Sequence, residues 1–188
     1  MRLGGTVLPA FPPSFALTSR ATAAGLTVPA GGVLLCPDLG PVRPGELVDL
    51  RTAGLRDRPA APLTVDEAAE LLRRTWAGEA LLLTRAVLAV HGGTALLRPG
   101  LPYDDVSAFE VTPEGRAAGQ PARPLLVPRL GRRQRPHRGG DTWRTPLPPW
   151  GMRLAALLRA VRPLADGGIV EWSDDGSRCW LLLAHPAD

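Results

Sequence analysis

Residues 148–186 read PPWGMRLAALLRAVRPLADGGIVEWSDDGSRCWLLLAHP, and the fold class follows from how this stretch divides. Pro148 and Pro149 suit the opening of a helix, because the first helical amide has no intrahelical partner to lose. Met152 (or Leu154), Ala155, Leu158 and Val161 then fall on one stripe at helical spacing, with Arg153, Arg159 and Arg162 off it. Pro163 and the following Asp-Gly-Gly end the helix. Residues 169–172 and 178–184 form two apolar runs around an Asp-Asp-Gly-Ser turn, which is the pattern of a β-hairpin. Trp172 and Trp180 flank that turn at positions able to pack across the strands.

Working outward, a second helix is predicted from Thr64 to Trp76. Thr64 and Glu67 make a capping box, Asp66 and Glu67 favour the positive end of the helix dipole, and Arg73 and Arg74 favour the negative end. Residues 80–98 read as a hairpin, 81–90 with 94–98, around "HGGT", with a helix as the alternative because Leu, Ala and Arg serve both. "DVSAFEVTPEG" (105–115) and "RPLLVPRL" (123–130) each read as a strand. Residues 1–62 read as short strands and turns, with "GGVLLCPDLG" (31–40) and "GELVDLRTAGL" (45–55) as partners. The expectation is an α+β protein with a small mixed or antiparallel sheet, few helices, Pro/Gly-rich loops and a C-terminal helix plus hairpin. Its organisation is an N-terminal lobe over 1–122, a basic linker or loop over 123–149 and a C-terminal lobe over 150–188, either separate or sharing one core.

Composition bounds the function. The chain has 188 residues, 45% of them hydrophobic, enough for a buried core. All 22 basic residues are arginine, and neither lysine nor asparagine occurs. Such usage matches GC-rich codons and a bacterial genome, so the arginines carry less functional meaning than their number suggests. The missing lysine excludes Schiff-base and P-loop lysine chemistry outright. Charge is unevenly placed: residues 1–122 hold 11 Arg and 12 acids, 123–162 hold 10 Arg and one acid, and 163–188 hold one Arg and five acids.

The basic middle contains "VPRLGRRQRPHRGGDTWRTPLPPWG" (127–151). Arg129, Arg132, Arg133, Arg135, Arg138 and Arg144 are suited to phosphate contacts, and Trp143 to stacking on a base. The preferred reading is a non-catalytic nucleic-acid-binding or accessory protein with little sequence specificity, since no base-edge readers stand out. The alternative is an adaptor or structural subunit of a bacterial assembly, recruited through residues 141–151 with Trp143, Leu147 and Trp150 as protein-interaction anchors. A solvated linker is the third reading of the same segment.

Two weak resemblances fall on the helices. "LTVDEAAELL" resembles the opening helix of excisionase-type and MerR-like helix-turn-helix proteins, but the continuation "RRTWAGEALLL" has no tight turn before a recognition helix. The C-terminal helix and hairpin resemble the last helix and wing of a winged-helix domain, where Arg153, Arg159 and Arg162 would lie groove-side. The tip "SDDGS" is acidic where phosphates would approach, so an α+β packing unit is the preferred reading.

Other chemistry is sparse. His91, His137 and His185 lack metal-site spacing, Cys36 and Cys179 read as buried free thiols, and no metal or cofactor is expected. The adjacent pairs Asp104–Asp105 and Asp174–Asp175 read as turn residues, because neighbours on a strand face opposite ways. Pro9, Pro12 and Pro13 interrupt any signal-peptide core, and no apolar run reaches membrane-spanning length, so a cytoplasmic location is expected. An enzyme site assembled from residues distant in sequence stays open.

Overall fold

The computed structural model describes residues 13–34, 46–52, 62–75, 81–112, 117–118, 125–128 and 147–187. Its elements run α1 (Pro13–Ala23), β1 (Gly31–Leu34), β2 (Leu47–Thr52), β3 (Leu63–Thr64), α2 (Val65–Thr75), β4 (Leu81–Arg85), β5 (His91–Leu96), β6 (Tyr103–Val111), β7 (Ala117–Ala118), β8 (Leu125–Pro128), α3 (Pro149–Ala165), β9 (Ile169–Asp174) and β10 (Cys179–His185). The strands form two antiparallel sheets. The smaller has the order β1-β4-β2-β3, and the larger β10-β9-β5-β6-β7 with β8 also paired to β6. The α+β expectation holds, as does the helix followed by a hairpin at 149–185.

In the smaller sheet, alternation along β4 aims Leu81 and Leu83 at α2, where they bury with Val48, Leu50, Ala68 and Leu72. The α2 helix starts where its capping box predicts. The Thr64 N–H and hydroxyl donate to Glu67 Oε2 at 2.8 and 2.9 Å, and the Glu67 N–H returns to Thr64 Oγ1 at 3.3 Å. Those bonds hold the Glu67 carboxyl below its usual range, the Thr64 backbone N–H contributing most.

The larger sheet carries α3 on one face. Leu154, Leu157, Leu158, Val161 and Ala165 of α3 bury against Ala95, Val106, Val170, Trp172, Leu181 and Ala184, with Leu17 and Ala21 of α1 in the same core. The apolar stripe is therefore phased on Leu154, and Met152 is 59% exposed. Arg162 points inward far enough to bind the buried Asp104. Gly167, at φ +81°, turns the chain out of α3, and the Gly168 N–H reaches the Ala165 carbonyl at 2.9 Å. Phe15 of α1, Leu82 of β4 and Leu183 of β10 form a small buried cluster where the two sheets meet.

Several local expectations are corrected. Residues 13–23 are helical rather than strand and turn. Residues 81–98 are two strands in different sheets, not a hairpin. Gly92 and Gly93 lie within β5, where a Cβ on Gly93 would come within 1.9 Å of the Ser107 carbonyl oxygen. Gly93 is there for close backbone approach, not for a turn, whereas a Cβ on Gly92 would meet only side-chain atoms at ordinary contact distance. β1 and β2 do not pair with each other, because β4 lies between them. Asp104 and Asp105 sit on β6, not in a turn, and the pleat sends them to different partners. Asp104 meets Arg162, while Asp105 accepts from Arg98 Nε at 2.6 Å.

Candidate functional site

Strand register defines the surface that the larger sheet turns away from α3. Two adjacent rows cross it: Leu183, Glu171, Thr94 and Ser107, then His185, Ile169, Leu96 and Asp105. Directly paired residues in antiparallel strands share a face, and Leu183 in the first row touches Phe15 and Leu82. The rows therefore border the junction of the two sheets. Ala184, Val170, Ala95 and Val106 form the alternate row, packed under α3.

This placement depends on an irregularity in β10. The pairing passes from Leu181↔Trp172 directly to Leu183↔Glu171, leaving Leu182 as an extra residue. One inserted residue reverses the alternation beyond it. In an unbulged strand of the same sequence, Leu182 would take the place opposite Glu171, and Leu183 and His185 would face α3. With the bulge, His185 Nε2 reaches Glu171 Oε1 at 3.0 Å, with the two side chains 42% and 21% exposed. Glu171 and His185 thus form an accessible acid–imidazole pair beside the junction of the sheets.

The hairpin turn between β9 and β10 is built differently. Arg153 of α3 donates from Nε and Nη2 to the two oxygens of the fully buried Asp174, at 2.7 and 2.6 Å. Asp175 Oδ1 accepts from the Ser177 N–H and hydroxyl and from the Arg178 N–H at 2.7–2.8 Å, while Oδ2 accepts from Trp180 Nε1 at 2.7 Å. Burial opposes ionisation of Asp175, but these donors outweigh it and hold the carboxyl at about 2. Asp175 is thus the turn residue expected of it. Cys179 next to this turn is a buried free thiol, pushed up to about 12 chiefly by burial and then by the Asp174 charge. A cleft of about 340 Å³ opens on the α3 side of the turn, lined by Thr27, Arg153, Ala156, Ala160 and Arg178 among others.

Of the residues singled out in the basic segment, Arg129, Arg132, Arg133, Arg135, Arg138, Trp143 and Arg144 lie outside the described residues. Leu147 is partly buried against the core of the larger sheet. Trp150 stacks on His91 and on Trp172, with ring centroids 5.3 and 5.5 Å apart. His91 Nδ1 and Trp172 Nε1 are buried beside it with no hydrogen-bond partner among the described residues. Glu171 and His185 drew no functional reading in sequence. They are 14 positions apart and meet only through a bulged hairpin. Placing 169–172 opposite 178–184 brought them near one another; only the bulge placed them on one face. No described helix is long and apolar enough to cross a membrane.

No protein-family model and no curated protein sequence matches the chain. Its fold does match solved structures of ATP-grasp proteins. A RimK domain ATP-grasp protein from Sphaerobacter thermophilus is 18% identical, with 92% of this chain and 57% of that one covered and a TM-score of 0.52. D-alanine–D-alanine ligase from Bacillus anthracis is 10% identical, with 93% and 57% covered and a TM-score of 0.53. The macrocyclase MdnC of Microcystis aeruginosa, bound with precursor peptide MdnA, is 10% identical, with 93% and 52% covered and a TM-score of 0.50. The chain spans little more than half the length of these proteins, and at such identities the likeness is one of fold: an ATP-grasp-like arrangement of two sheets.

That finding overturns the non-catalytic nucleic-acid-binding reading and the adaptor alternative with it. The arginine run is the strongest local signal in the sequence, but charge density by itself specifies no fold.

Proposed function

We propose that this chain is an ATP-dependent ligase, or a portion of one, that joins a carboxylate to an amine. The observation that carries this is the match in fold to ATP-grasp proteins over more than nine-tenths of the chain. The surface bearing Glu171 and His185, beside the junction of the two sheets, is the candidate active face. We further infer that one reactant is a peptide. MdnC, solved with its precursor peptide, supports this because it shares the fold over 93% of this chain.

The residues present bound how a nucleotide would be held. With no lysine in the chain, its phosphates would meet arginine and backbone N–H groups. Among the described residues, no three His, Cys, Asp or Glu side chains are grouped to hold a metal ion. Magnesium on a nucleotide needs few protein ligands, because it keeps waters and takes phosphate oxygens. Glu171 and Asp105 are carboxylates on the candidate face.

The test is ADP and phosphate release from ATP, in the presence of the twenty amino acids and short peptides. Turnover that depends on a carboxylate and an amine is expected. Absence of nucleotide binding by calorimetry, together with absence of ADP, would overturn the reading.

A further inference from the structure

The geometry points to His185 as the proton acceptor for the attacking amine, with Glu171 as the residue that positions it. This rests on the ligase reading above. Three observations lead to it. First, the extra residue Leu182 turns His185 away from the α3 core and onto the face beside the second sheet. Bulges re-aim side chains in this way next to active sites. Second, the Glu171 carboxylate lies 3.0 Å from Nε2. That contact favours the tautomer with the proton on Nε2, so Nδ1 carries the lone pair. Third, His185 is 42% exposed, and Leu183, two residues back on the same face, makes the contact between the sheets. The imidazole is therefore partly exposed about 7 Å along the strand from that junction, at 3.4 Å per residue. The same bulge also turns Leu183 into the buried cluster with Phe15 and Leu82, so it serves the packing of the sheets as well as the placing of the pair.

The step balances as follows. A carboxylate oxygen of the substrate first attacks the γ-phosphorus of a nucleoside triphosphate; the bond from that phosphorus to the bridging oxygen breaks, the nucleoside diphosphate leaves, and a mixed anhydride with phosphate results. The amine nitrogen then attacks the carbonyl carbon and a C–N bond forms. The bond from that carbon to the phosphate oxygen breaks, and phosphate leaves with the electron pair. The proton released by the nitrogen passes to Nδ1 of His185, and Glu171 stabilises the resulting imidazolium through Nε2–H. His185 is the catalytic residue in this step, while Glu171 acts through it.

The experiment compares wild type, H185Q and E171Q with ATP and the same amino-acid and peptide panel, and repeats each reaction with hydroxylamine as the nucleophile. Hydroxylamine is largely unprotonated at neutral pH and needs little help from a base. Amide formation should fall about 100-fold or more in H185Q, a usual loss for a missing base, while hydroxamate formation stays near the wild-type rate. E171Q should show the same split to a smaller extent, which keeps the test intact if H185Q does not fold. If amide and hydroxamate fall together, or neither falls, His185 is not the base. If wild type forms neither ADP nor hydroxamate, the ligase reading itself has failed.

Discussion

Arg153 grips Asp174 with two parallel hydrogen bonds of 2.7 and 2.6 Å, fastening the first turns of α3 to the end of β9. Asp174 is fully buried and also accepts from the Gly176 N–H at 2.9 Å. Removing the guanidinium would leave a buried carboxylate without its counter-charge, which costs more than removing both charges. R153L should therefore lower the urea midpoint further than R153L/D174L does. The double variant should not recover fully, since the Gly176 N–H then lacks its acceptor. Equal midpoints for the two variants would contradict this account.

Asp175 ties acid stability to the hairpin turn. Its carboxyl titrates at about 2 in the fold against an ordinary 3.8. A group depressed by folding stabilises the fold above its ordinary value, and that contribution disappears as pH falls through the folded one. Wild-type stability should therefore drop more steeply between pH 4 and pH 2 than that of D175N, followed by tryptophan fluorescence in urea. Parallel curves would show that the turn's hydrogen bonds do not depend on that charge.

Cys179 should be chemically silent. With its thiol pushed up to about 12, almost no thiolate exists at pH 8, and the thiolate is the reactive form. In a C36S background, no colour should develop with an aromatic disulfide reagent until denaturant is added. Prompt labelling of the native protein would show that the hairpin opens readily.

Deleting Leu182 tests the bulge. Without the extra residue, a regular β10 keeps Leu183 opposite Glu171, so Leu183, Ala184 and His185 hold the faces they have now. The deletion should therefore cost little more than L182A and leave the cluster of Phe15, Leu82 and Leu183 in place. A far lower melting temperature for the deletion would mean that the bulge itself is needed by the fold.

T64A should cost about 1 kcal/mol, the usual value for a threonine N-cap, or a melting shift of about 2–4 °C in a domain of this size. This helix start was legible in sequence because both partners of the capping box are local. So were the proline-led α3 and the hairpin after it, whose breakers are written into the chain. The α1 helix was not: it opens on Pro13 as α3 opens on Pro149, but its mix of Phe, Leu, Ser, Thr and Ala gives no clear apolar stripe, and packing of Phe15, Leu17 and Ala21 supports it. "HGGT" was misread because glycine marks both turns and crowded strands, and only the approach of Ser107 distinguishes them. The Glu171–His185 pair stayed hidden because a bulge is a property of pairing, and one strand alone does not reveal it.

The order β10-β9-β5-β6 also bears on how the molecule is made. β5 sits between β6, its neighbour in sequence, and β9, which the ribosome delivers only after β6, β7, β8 and α3. Until then one hydrogen-bonding edge of β5 stays open, flanked by the apolar surface that α3 will cover. Open edges recruit other strands, and sheets closed by distant partners form slowly. During synthesis, then, this nascent chain has a window of exposure to self-association that ends when β9 docks.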